Sequence, residues 1–138
     1  MPQEKHLLLL RDWIFHRLVG LLNSGEWMVK IKDFRKSRSK AERNYFGLTN
    51  FDEQIIYLDK RSGTPRILGH ELGHVAFVEL LESEGEKRDR GRRKDTFPWE
   101  ERQILCFEEY FYNSLSVKQI AILQYFIDDA HSEYGKDR

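Results

Sequence analysis

The sequence predicts one α+β domain spanning residues 1–138, with helices packed on a small, mostly antiparallel sheet. Three observations carry this expectation. Apolar residues recur at helical spacing near the start of the chain and through most of it after residue 64. Short runs rich in β-branched and aromatic residues lie between residues 27 and 58. Turn-forming residues separate the two kinds of pattern, and there is neither a repeat nor a low-complexity tract. At 138 residues the chain can bury one modest core.

Taken in order, Leu7, Leu10, Ile14, Leu18 and Leu21 form one stripe of an amphipathic helix over residues 4–22, which Asn23, Ser24 and Gly25 close. Residues 27–31 and 54–58 read as strands, and 45–50 as a short strand or turn between them. Thr64 is a good N-cap and Pro65 a good first helical residue, since its missing N–H has no partner there anyway. The helix they open runs to about residue 81, with Ile67, His70, His74, Phe77, Val78 and Leu81 on one core-facing stripe. A charged loop over 85–95 follows. Thr96 and Pro98 start a helix to about 115, whose apolar face carries Ile104, Leu105, Phe107, Phe111, Tyr112 and Leu115. Ser116 and Gln119 have capping-box spacing and open a last helix to about 131, with Ile120, Leu123, Phe126 and Ile127 as its apolar residues.

The second of these helical patterns contains His70-Glu71-Leu72-Gly73-His74, an HExxH motif. On a helix, residues four apart share a face, so two imidazoles lie one turn apart as a two-point grip for zinc, with a carboxylate beside them. Chance gives this pattern in only about a few chains per thousand of this length, which leaves accident a poor explanation. Two buried, hydrogen-bonded core histidines are the structural alternative.

On these residues the chain resembles the zincin metallopeptidases, and within them the small ImmA/IrrE-type proteases and minigluzincins. The likeness is specific over residues 70–74 and looser over 54–81. It implies a compact zincin-like fold, one zinc ion per chain, a third zinc ligand that is a Glu on a later helix, and peptide-bond hydrolysis. It also implies that the strand before the motif helix, residues 54–58, pairs with an extended substrate. No His closely follows His74, which excludes a metzincin.

Two histidines alone hold zinc weakly, and a catalytic site wants three protein ligands and an open position for water. Glu108 lies at the centre of the apolar face of the 98–115 helix, where a carboxylate is costly to bury unless paired or bound to a metal. Glu101 lies close to that centre two turns earlier. If the motif helix continues for about ten residues past His74, or roughly 15 Å, an antiparallel partner returns to the metal about ten residues after Pro98. That count favours Glu108 as ligand, with Glu101 as the reserve or as the carboxylate that orients a ligand histidine. Zinc held by His70, His74 and Glu108 would bring the pKa of a bound water to about 7. Glu71 would then take its proton and return it to the leaving amine. Tyr112, His131 and Tyr134 are the more remote candidates for stabilising the oxyanion, though aromatic residues at helical spacing usually belong to the core.

The expected partner is a protein or peptide substrate. Net charge is zero, so no global field draws the chain to nucleic acid or an anionic membrane. Basic residues do cluster locally, at Lys30, Lys32, Arg35, Lys36, Arg38, Lys40 and Arg43 and again over 87–94. Such runs are more often solvated loops than nucleic-acid or acidic-partner patches, and nucleic acid is the less favoured partner. Cys106 is the sole cysteine, which points to a reducing, cytoplasmic setting. The four-leucine run 7–10 is too short, and its flanks too charged, for a signal peptide or a membrane span. The expected activity is therefore that of an intracellular, regulatory zinc peptidase. A non-catalytic module of the same fold that binds protein or nucleic acid is the alternative; Glu71 discriminates, because a structural metal site needs no general base.

Overall fold

The computed structural model describes residues 2–76, 79 and 98–136. Helix α1 (Pro2–Asn23) leads through Trp27 into strand β1 (Met28–Lys32), and two 3-10 turns follow, Phe34–Lys36 and Glu42–Asn44. Strands β2 (Gly47–Asn50) and β3 (Ile55–Asp59) precede helix α2 (Pro65–Ala76), then α3 (Pro98–Ser114) and α4 (Val117–Lys136). The expected continuation of the motif helix to 81, the loop 85–95 and the start signal at Thr96 fall outside the described residues, apart from Glu79. Among the described residues no helix is long and apolar enough to cross a membrane.

The α+β class is as expected, and the strand order is β1-β3-β2. Antiparallel pairing holds for the β2–β3 hairpin, with Gly47 opposite Leu58 and Asn50 opposite Ile55. Its turn ends on Gln54, held in the left-handed region at φ 57°. Strand β1 adds on the other side of β3 in parallel, Met28 opposite Ile55 and Lys32 opposite Asp59, which makes the sheet mixed. The chain returns along β2 before entering β3, so β3 runs with β1 and takes the centre of the sheet.

Caps fix the helix starts. The Thr64 hydroxyl accepts the Ile67 N–H at 3.3 Å and its carbonyl accepts the Leu68 N–H at 3.0 Å. At α4 the Ser116 hydroxyl takes the Gln119 N–H at 3.1 Å while the Gln119 side chain takes the Ser116 N–H at 2.9 Å, a reciprocal capping box. Helix α4 runs past 131 to Lys136, because Ala130 and Tyr134 prolong the buried stripe of Leu123 and Ile127.

Helix α2 sits in the middle of the molecule, against β2, β3, α1, α3 and α4. Its burial is accordingly wider than the single stripe read from the sequence: Leu68, Leu72, Val75 and Ala76 join Ile56, Leu58, Phe111 and Leu123 in the core. One apolar stripe is the signature of a helix with one covered face, and α2 is covered on several. Helix α1 departs in the opposite sense. Ile14, Phe15, Leu18 and Leu22 are buried, whereas Leu8, Leu9, Leu10 and Trp13 are exposed.

Asp59 pins the entry to α2. Wholly buried at the end of β3, its carboxylate accepts the Phe34 N–H at 3.1 Å, the Arg61 N–H at 3.2 Å, the Arg61 Nε–H at 2.8 Å and the Ser62 hydroxyl at 3.3 Å.

Candidate metal centre

Helix α2 places the His70 and His74 rings one turn apart, their centroids 5.3 Å from each other and their planes at 73°. Helix α3 approaches them antiparallel and close, and two glycines of the motif helix allow it. A Cβ at Gly69 would lie 3.1 Å from the Tyr112 ring, and one at Gly73 would lie 3.1 Å from both Ile104 and Phe107. Any larger residue at either position would push α3 away.

That approach brings the Glu101 carboxylate between the two imidazoles. Oε1 is 3.1 Å from His70 Nε2, and Oε2 is 3.3 Å from His74 Nε2. One ligand atom from each of His70, His74 and Glu101 falls within 4.8 Å of the others, so these three could hold a metal ion. Two imidazole nitrogens and a carboxylate oxygen form a recognised donor set for catalytic zinc. The hydrogen bond from His74 holds the Glu101 carboxyl below the usual range; partial burial opposes this, and the charges of both histidines reinforce it.

Glu108, the ligand favoured by counting along the sequence, stands at the other edge of the His70 ring. Its Oε1 is 3.4 Å from His70 Nδ1, and its Oε2 is 3.6 Å from the Arg66 guanidinium. Glu101, not Glu108, is thus the carboxylate that lies against both Nε2 atoms. Distance along a helix says how high a side chain stands but not which edge of an imidazole it meets, and Arg66 draws Glu108 toward Nδ1. An imidazole that gives Nε2 to a metal keeps its proton on Nδ1, and Glu108 is placed to accept that proton's hydrogen bond.

Glu71 is buried on the same helix and turned toward β2, where the Thr49 hydroxyl donates to its Oε1 at 2.8 Å. Burial pushes its carboxyl above the usual range. His74, the Thr49 hydrogen bond and His70 oppose the rise, and Glu101 adds to it. Gly47 backs onto the same side chain, its Cβ position 3.1 Å from Glu71 Cγ. The sequence offered no signal for Thr49 or Arg66. The glycines at 69 and 73, four apart inside the motif helix, were a readable sign of close helix packing.

Of the remote candidates, the Tyr112 ring lies beneath the Arg66 guanidinium at 4.6 Å, and Tyr134 lies beneath Lys60 at 5.8 Å. His131 is half-buried on α4, and Cys106 is exposed.

The expected substrate strand needs correction. Strand β3 occupies the centre of the sheet, paired on both sides, and has no edge to offer. Among the described residues β2 is the edge strand beside α2. The Phe46 carbonyl accepts the Asp59 N–H at 2.8 Å, so by antiparallel alternation Leu48 and Asn50 also bond inward, and Gly47 and Thr49 turn their N–H and C=O groups outward. Those are the two residues that touch Glu71.

Comparison with protein-family models, with characterised proteins and with solved structures finds no match to this chain.

Proposed function

We propose that this protein is a zinc-dependent metallopeptidase with one zinc ion per chain, held by His70, His74 and Glu101. The observation that carries the proposal is the convergence of both Nε2 atoms on one carboxylate, with a buried glutamate next in sequence to the first histidine. When bound, zinc supplies Lewis acidity to the scissile carbonyl and makes a water acidic enough to yield its proton near neutral pH. Glu71 accepts that proton and delivers it to the leaving amine. Glu108 holds His70 in the tautomer that offers Nε2, and Arg66 holds Glu108. An extended substrate segment pairs with the outer edge of β2 at Gly47 and Thr49, which sets its backbone beside Glu71. The substrate is a protein or peptide, and the lone exposed Cys106 suits a reducing, cytoplasmic setting.

Against a non-catalytic metal module stands the cost of keeping Glu71. A buried carboxylate with one side-chain hydrogen bond is a burden on the fold that only chemistry justifies. The ligand set is tested by zinc affinity in competition with a chelator. Glu108→Ala should weaken binding about 10–100-fold, as expected for a carboxylate that orients a ligand histidine, and Glu101→Ala should weaken it further. A larger loss from Glu108→Ala would assign the ligand to Glu108 instead.

A further inference from the structure

The segment between β1 and β2 is strongly basic, and its acids are turned inward. Asp33 is buried and accepts from the Arg35 backbone and side chain, while Glu42 takes Lys32 at 3.8 Å and the Ser37 hydroxyl at 2.7 Å. Lys36, Arg38 and Lys40 are exposed; the Lys36 charge is felt by Asp33, and no salt bridge within 4 Å holds any of the three among the described residues. The segment continues through the exposed side chains of Tyr45 and Phe46 directly into the outer edge of β2. The far end of that edge has the opposite sign. There Asp52 and Glu53 are exposed in the turn, and Glu53 accepts from Asn50 at 2.7 Å and from Tyr57 at 3.0 Å. A chain lying along β2 therefore meets positive charge at one end and negative charge at the other.

We infer that the β2 edge and the basic 33–46 segment together select an acidic polypeptide, whose Glu or Asp residues flank the strand-forming stretch on the side of Phe46. This rests on the peptidase proposal and names the class of substrate it acts on. The paired backbone supplies register and is blind to sequence, whereas Lys36, Arg38 and Lys40 supply preference. Two large exposed aromatic rings give the acidic segment apolar surface to lie on, which a run of lysines alone lacks. Opposite charge along one edge also fixes direction, because a peptide laid down in reverse puts its acids against Asp52 and Glu53. Single-stranded nucleic acid fits less well. Its uniform negative charge would be repelled at the Asp52–Glu53 end, and the strand edge would find no backbone amides to pair with.

The test measures binding, not cleavage, so that it stands apart from the chemistry. The probe is a short fluorescein-labelled peptide with glutamates on one flank of an apolar stretch, followed by anisotropy with the zinc-loaded Glu71→Gln protein. The control is the same peptide with glutamines. The acidic peptide should bind at least about tenfold tighter than the control, and the difference should shrink as salt shortens the screening length. Reversing Lys36, Arg38 and Lys40 to Glu should abolish it, and the milder change of all three to Gln should reduce it if the reversal disturbs folding. Equal affinity for both peptides overturns the inference, as does tighter binding of a single-stranded oligonucleotide. Preference for the acidic peptide in a protein that cleaves nothing supports the surface and counts only against the peptidase proposal.

Discussion

Glu71→Gln should leave the zinc content unchanged and lower kcat on a cleavable peptide by about 10²–10⁴-fold, the range a positioned general base contributes. The substitution keeps the shape of the side chain and an oxygen that can accept the Thr49 hydroxyl, so the contacts with β2 survive. It removes only the ability to take and return a proton. Since burial penalises the carboxylate, its removal should not lower thermal stability. Metal content, melting temperature and kcat measured on one preparation separate the possibilities. Undiminished turnover with zinc in place would remove Glu71 from the reaction, and loss of zinc would place Glu71 among the ligands.

The second large effect lies away from the metal. Asp59→Ala should destabilise the fold by about 2–4 kcal/mol, because the Phe34 and Arg61 N–H groups, the Arg61 side chain and the Ser62 hydroxyl all lose one buried acceptor. The same residue makes stability depend on pH. Burial alone would raise its pKa, yet the hydrogen bonds from Arg61 and Phe34 and the Arg61 charge together hold it below the usual value of 3.8. A carboxyl depressed in the folded state contributes stability that is fully present above its unfolded pKa and is lost as pH falls through the folded one. The wild type should therefore lose denaturant resistance below about pH 4, and Asp59→Asn should show a flatter profile over that interval. Parallel profiles for the two proteins would show that Asp59 does not carry the linkage.

How much could be read from the chain alone depended on whether the signal was local. The N-cap at Thr64, the capping box at Ser116 and the period of the helices are local, and each appears where the sequence placed it. The HExxH spacing is local too, and it sets His70 and His74 one turn apart on α2. Strand order is not local. Residues 54–58 look the same in sequence whether they lie at an edge or at the centre, and only the parallel addition of β1 put β3 in the middle. Which of Glu101 and Glu108 lies against both Nε2 atoms was not legible for a related reason. Both stand on the face of α3 that meets α2, and Arg66, which decides which edge of His70 each one reaches, lies on another helix. The exposure of Leu105 and Leu10, both expected on apolar faces, likewise reflects which neighbours the folded chain supplies to each helix.

Elemental analysis of the purified wild type and of His74→Ala tests the metal centre most directly. One zinc per chain in the wild type and almost none in the variant is the expected result. A wild type without zinc, or a His74→Ala protein that keeps a full equivalent, would contradict a catalytic metal held between α2 and α3.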